Sequence, residues 1–197
     1  MSYHVYTTKA LILRGASYGE ADKQYLLFTQ DLGLIFASAK SVRLVTSKLN
    51  PALQDFSFST VSLVRGKQSW KITNALCEES VYDLFRDKKV VLTMLARVAS
   101  LLVKIVAGEE KNETLFLTFT SAVDFLRTNM FTTENLSTIE SILVLRILHN
   151  LGYVASRDEY SVVLGSAWNN EVLENASVLK ITMIRDINRA LKESHLS

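Results

Sequence analysis

The stretch Thr7–Lys40, TTKALILRGASYGEADKQYLLFTQDLGLIFASAK, decides the fold. Its apolar residues come in short runs separated by turn chemistry, the grammar of strands rather than helices. Residues 7–15 read as a first strand, residues 16–22 (ASYGEAD) as a loop turning on Gly19, and residues 23–30 as a second strand. Asp31-Leu32-Gly33 is a hairpin connection in which Gly33 is free to take positive φ. Residues 34–40 (LIFASAK) form a third strand.

Working outward, a polar loop runs from Ser41 to Asn50 and ends at Pro51. From Leu53 to Val64 the apolar residues partly alternate, which predicts a fourth strand with Phe56 and Phe58 on one face. Arg65-Gly66-Lys67 turns the chain, and Ser69 to Leu76 returns as a fifth strand, with Trp70 and Ile72 pointing one way and Lys71 and Thr73 the other. Five strands in so short a span, with no long helix among them, predict a small closed barrel, for which an OB-type barrel is one of few solutions.

After Cys77 the apolar period changes from two to 3.6. Helices are expected at 79–87, 89–107, 113–129 and 137–151, with a capping box from Ser137 and Glu140 and a helix-ending glycine at Gly152. Residues 156–177 are ambiguous, and Val178 to His195 reads as a final amphipathic helix. The expected class is therefore α+β with two domains, a small five-stranded barrel over 1–77, an OB-fold barrel among the few solutions open to it, and an all-α domain over 78–197. Within the apolar run Val90–Ala107, the residues Thr93, Arg97, Ser100 and Lys104 share one stripe. That pattern predicts a mostly buried helix with one wet edge, not a membrane span.

Charge divides along the same line. The first 76 residues carry nine Lys/Arg against four Asp/Glu, and the remaining 121 carry thirteen against sixteen, a split hidden by the overall net charge of +2. Cys77 is the only cysteine, so no intramolecular disulfide or cysteine-based zinc site is available to one chain. That usage and the lack of an apolar core in Met1–Lys9 predict a cytoplasmic setting.

No catalytic constellation is found, and neither a cofactor nor a metal is expected. His4, His149 and His195 stand at no metal-ligand spacing, and neither a phosphate-cradling glycine loop nor a nucleophile elbow is present. His149 reads as a core or rim histidine, His195 as solvated, and Cys77 as a small buried hydrophobe. The pairs Glu78-Glu79 and Glu109-Glu110 are expected at helix starts, where the helix dipole favours them.

A binding surface is the better prospect. Arg14, Lys23, Lys40, Arg43, Lys48, Lys67 and Lys71 are candidate phosphate contacts, and Tyr18 and Trp70 are candidate stacking rings, the parts that single-strand binding uses. The same lysines also suit a solvated face, and the same rings also suit a core. On the last helix Arg185, Arg189 and Lys192 share a basic stripe, readable as a partner-binding face or as a solvated one with Glu193 as local partner.

The order of residues adds a resemblance. Tyr18-Gly19-Glu20-Ala21-Asp22-Lys23, Leu26-Leu27-Phe28-Thr29, Gly33 and Ala37 to Lys40 resemble the N-terminal barrel of the bacterial recombination mediator family RecO. Lys40, Arg43, Ser47, Leu49, Ala52-Leu53-Gln54 and Phe56 are similar to that family's K-G-x-R…S-x-L…A-L-Q-x-F signature. Leu145–Tyr153 (LRILHNLGY) is similar to its L-x-x-L-x-x-L-G-Y helix end, and Arg185–Leu196 resembles its final helix.

The resemblance implies a non-enzymatic repair factor. Such a factor binds single- and double-stranded DNA, anneals complementary strands and contacts the acidic C-terminal tail of the single-strand-binding protein. With RecR it helps RecA load. The chain departs from the pattern in several places. Ser161 to Asn175 holds no cysteine for the family's zinc insert, Ser41 and Pro51 replace usual glycines, and Leu34, Leu44 and Val45 stand where cations or polar residues are common. Ser141 and Ile142 replace a basic residue tied to the single-strand-binding-protein contact. The rival readings are a protein-interaction module that has lost most DNA affinity and an OB-fold RNA-binding factor.

Overall fold

A computed structural model describes residues 4–67, 69–165 and 167–194. Its strands are β1 (Val5–Tyr18), β2 (Asp22–Thr29), β3 (Gly33–Ala39), β4 (Ser57–Arg65) and β5 (Trp70–Ser80). They close a barrel in the order β1-β2-β3-β5-β4, with β3 and β5 parallel and the other pairs antiparallel. That is the five-stranded OB arrangement. The class is α+β, as the sequence predicts.

β1 pairs with β2 on one side and β4 on the other, and its register shifts between Ile12 and Arg14. One long, bulged strand lets the sheet curl back on itself. The expected loop at 16–22 is therefore shorter, because Ala16, Ser17 and Tyr18 continue the ladder with β2.

Inward residues form a single core: Ala10, Ile12, Tyr25, Leu27, Ile35, Ala37, Val61, Leu63, Trp70 and Ile72 are all 5% exposed or less. Trp70 and Ile72 point in while Lys71 and Thr73 point out, as their alternation requires. The fourth strand starts later than expected. Pro51–Leu53 form a 3-10 turn and Phe56 takes a φ of +63°, so Phe56 and Phe58 do not share a strand face. β5 runs on to Ser80, which keeps Glu78 and Glu79 in a strand rather than at a helix start and leaves Cys77 exposed rather than buried. The expected boundary between residues 77 and 78 falls inside this strand.

Helices follow: α1 (Val81–Phe85), α2 (Lys89–Ile105), α3 (Glu113–Thr128), α4 (Thr133–Asn150), α5 (Ser161–Gly165) and α6 (Asn170–Glu193). Residues 1–86 with 107–116 make one compact unit, and 87–106 with 117–197 make a second. In the second, α4 packs against α2, α5 and α6. The α4 capping box is Thr132 with Asn135, one turn ahead of the expected Ser137 and Glu140, and Glu140 instead receives a two-pronged bond from Arg97 at 2.9 and 2.7 Å. Gly152 ends α4 with a φ of +80°, the conformation a C-terminal glycine supplies. The ambiguous segment resolves into a 3-10 turn at Asp158–Tyr160, α5 and the first turns of α6. His149 is a rim residue with Nδ1 3.0 Å from the Val154 carbonyl oxygen, and His195 lies outside the described residues. No helix among the described residues is long and apolar enough to cross a membrane, and α2 keeps Thr93, Arg97, Ser100 and Lys104 exposed along one edge.

Glu109 and Glu110 precede α3 in an extended strap bound to the barrel. Leu34 N donates to the Gly108 carbonyl at 3.1 Å, Lys111 Nζ lies 3.1 Å from Asp31 Oδ1, and Gln30 Nε2 donates to Glu113 at 2.9 Å. Phe116 rests on Phe28 and Phe58. Gly33, at a φ of +70°, leaves room for this strap, since a Cβ there would collide with the Glu110 backbone.

Candidate nucleic-acid interface

Directly paired residues in a sheet face the same side, so register places side chains without further assumption. Arg14 pairs with Leu26 and Leu26 with Phe36; Ala16 pairs with Gln24, Gln24 with Ser38, and Ser38 with Lys71. Tyr18 pairs with Asp22. Because Tyr25, Ala37 and Trp70 face the core, these rows face outward. Arg14, Tyr18, Phe36 and Lys71 therefore share the outer surface of β1, β2, β3 and β5, all of them exposed. Lys40, exposed, follows β3 directly.

The remaining candidates lie at the edges of this surface. Lys23 is half-buried at the barrel mouth, in the terminal pair of the β2–β3 ladder, and its row with Ser17 and Ala39 has the parity of core Tyr25 and Ala37, not that of the outer face. Lys48 is exposed on the loop joining β3 to β4. Lys67 is exposed on the turn joining β4 to β5, where the Lys71 stem also reaches Gly66. Among the described residues, Arg14, Lys23, Lys40, Lys48, Lys67 and Lys71 form no ion pair.

Two candidates have structural duties. Arg43 Nη1 donates to the carbonyl oxygens of Gly19 at 3.3 Å and Glu20 at 2.9 Å, and its backbone N–H donates to Ala21 at 2.9 Å. It ties the β3–β4 loop to the β1–β2 turn. Trp70 is 5% exposed inside the barrel core, with the Tyr6 ring edge-on at 5.1 Å and the Arg65 guanidinium 4.8 Å from its ring centre. No face of its indole is open to a base, so the tryptophan belongs to the core reading. Tyr18, 67% exposed, is open.

Phe36 was missed by sequence reading. It is 53% exposed on the outer face of β3, although it sits in an apolar run that reads as core. The signal available was parity: Ile35 and Ala37 are buried, so Phe36 must point the other way. Arg65 is also engaged, since it pairs with Glu109 of the strap.

On α6, Arg185 and Arg189 gather around Asp186 rather than Glu193. Asp186 is 1% exposed; its Oδ2 lies 2.8 Å from Arg157 and accepts from Tyr160 at 2.9 Å. Arg189 lies 3.1 Å and Arg185 3.9 Å from Oδ1, close enough for ion pairing but without an aligned hydrogen bond. Burial first, then the bond to Asp186, pushes the Tyr160 hydroxyl up to about 12. Lys192 is exposed one turn further on. Among the described residues no cluster of His, Cys, Asp and Glu is suited to a metal ion.

Known proteins are similar to this chain over the barrel and into the helices. Residues 1–80 match the family model described as recombination protein O N terminal. The chain is 37% identical over 123 residues to the DNA repair protein RecO of Dehalococcoides mccartyi, covering 62% of this chain and 48% of that protein. It is 31% identical over 150 residues to that of Clostridium novyi, covering 76% and 57%. The chain thus spans about half the length of the curated relatives it matches. The barrel is thus matched by the RecO N-terminal family model, and the similarity to these DNA repair proteins RecO extends into the helices.

Proposed function

We propose that this protein acts in DNA repair and recombination as a non-enzymatic mediator that binds single- and double-stranded DNA, promotes annealing, and assists RecA loading together with RecR and the single-strand-binding protein. The observation that carries this reading is the outer barrel surface, which presents the cations Arg14, Lys40 and Lys71 together with the exposed rings of Tyr18 and Phe36. Cations without carboxylate partners are free to replace the counterions of a phosphate backbone, and rings without cover can stack on bases. Annealing requires two polyanions to approach, and a cationic surface between them lowers their mutual repulsion. On α6, Lys192 and the exposed outer parts of Arg185 and Arg189, both of which also pair with Asp186, form the face offered to an acidic partner segment.

The test is titration of a labelled single strand at several salt concentrations. Wild type should show a steep salt dependence. Lys40→Ala/Lys48→Ala/Lys71→Ala should bind roughly 10-fold weaker or worse, with the slope of log K against log salt reduced by about 2. Unchanged affinity and slope would remove this surface from the interface. A second reading, a partner-binding barrel with little DNA affinity, is favoured by the engagement of Arg43, Arg65 and Trp70 within the fold. Capture of RecR or the single-strand-binding protein without DNA binding would select it.

A further inference from the structure

The loop from Lys40 to Phe56 is pinned at both ends of its tip. Val42 is fully buried in the barrel core, and Leu49 packs against the same cluster. Ser41 N donates to Asp22 Oδ1 at 2.7 Å, and Arg43 binds the β1–β2 turn. Between these anchors the chain makes two successive turns, Leu44 N to the Ser41 carbonyl at 3.2 Å and Ser47 N to the Leu44 carbonyl at 2.9 Å. The two residues held at the tip are apolar: Leu44 is 49% exposed and Val45 103%. Single apolar side chains are ordinary on a surface. Here two neighbours are displayed on a hydrogen-bonded turn whose nearest charged residues in the chain, Lys40, Arg43 and Lys48, are all cations.

We infer that Leu44 and Val45 form an apolar wedge that seats against base faces of a nucleic-acid strand whose phosphates are held by Lys40 and Lys48. This rests on the DNA-binding reading above and extends it to a residue type that the phosphate contacts do not involve. The complementarity is chemical. A nucleic-acid strand presents apolar base faces flanked by negative charge, and the loop presents an apolar tip flanked by positive charge. Proteins that unstack bases use aliphatic side chains for that step. Because the tip is held by backbone bonds, little ordering is needed on contact.

The experiment compares full-length wild type with Leu44→Ser/Val45→Ser on two labelled strands of equal length, one bearing bases and one abasic. Circular dichroism melts check folding. Wild type should prefer the base-bearing strand. The variant should bind that strand roughly 10-fold more weakly, keep the wild-type salt slope, and bind the abasic strand as wild type does. In a second variant, Val45→Trp, the indole fluorescence should be quenched by the base-bearing strand only. Equal binding of the base-bearing strand by wild type and the serine variant overturns the wedge and leaves the cationic surface standing. No binding of either strand by wild type overturns both. If the serine variant loses only binding to vesicles of phosphatidylglycerol and phosphatidylcholine, the tip faces lipid and the inference fails.

Discussion

Arg43 donates from its guanidinium to the carbonyl oxygen of Glu20 at 2.9 Å, so a residue that reads as a phosphate contact holds two loops of the barrel together. Both bonds leave one nitrogen, Nη1, which the long guanidinium side chain carries to a point between the Gly19 and Glu20 carbonyls; the shorter reach of lysine places its ammonium elsewhere. Arg43→Lys, which keeps the charge, should therefore lower stability nearly as much as Arg43→Ala, by about 1 kcal/mol in this exposed setting. Chemical unfolding of the two variants checks this. Full rescue of stability by lysine would show that charge, not the two-carbonyl reach, is what matters.

Ser41 precedes that clamp and adopts a φ of +54°. This is the position at which the resembling K-G-x-R signature carries glycine, and the left-handed conformation gives the reason. A side chain there costs about 1 kcal/mol that glycine avoids. Ser41→Gly should raise the unfolding free energy by about 0.5–1 kcal/mol, less the extra freedom glycine gains when unfolded. A destabilised variant would mean that the serine compensates its own strain.

Glu109 holds Arg65 at the end of β4, beside the turn that carries Lys67. The pair is exposed, so its worth is small, but it withholds a cation from any strand crossing that turn. Glu109→Gln should tighten single-strand binding by about 2-fold and steepen its salt dependence by slightly under one unit. Titration at two salt concentrations suffices, and an unaltered slope would place Arg65 outside the path of the strand.

Asp31 fastens the same strap from the other side. Thr8 Oγ1, donating at 2.9 Å, and then Lys111 hold its carboxyl below its ordinary value of 3.8. A carboxyl with a depressed folded pKa contributes stability above its unfolded value, and loses it as pH falls through the folded one. Asp31→Asn should thus be less stable than wild type at about pH 7, with the gap closing on acidification below 3.8. Melting curves from about pH 7 to about pH 2 test it. A gap of constant size would trace the loss to packing rather than charge.

Much of this architecture is legible in the chain, and the misses share a cause. Alternation marks β5, where Trp70 and Ile72 are buried by local parity, whereas β2 and β3 are marked by short apolar runs between turn residues. The extra length of β1 was hidden, since Ala16-Ser17-Tyr18 has loop-like composition and becomes strand only when β2 lies alongside. Ser137 and Glu140 fit a capping box as well as any pair, yet Thr132 and Asn135 take that role and Glu140 answers Arg97 across the helices. The site follows the same rule. Which residues are cationic can be read from the sequence, but which cations are spoken for depends on partners far along the chain, as with Arg65 and Glu109 or Arg43 and Glu20.

Tyr160 and Asp186 offer the clearest test of the helical unit. Tyr160 is fully buried and donates to Asp186 at 2.9 Å; burial, then that bond, raises its ionisation from 10.0 to about 12. Tyr160→Phe removes the donor and leaves Arg157 still 2.8 Å from Oδ2, so the loss at neutral pH should be about 1–2 kcal/mol. The alkaline limb carries the sign. Above 10.0 the unfolded phenol gives up its proton while the folded one keeps it, so wild type loses stability as pH rises from 10.0 to about 12. The phenylalanine variant lacks that loss, and the gap between the two proteins should narrow across this range. Tyr25, also raised to about 12 by burial and then by Asp55, is common to both proteins and cancels in the difference. A gap that widens with pH would mean that the phenol ionises more readily folded than unfolded, contrary to its burial against a carboxylate.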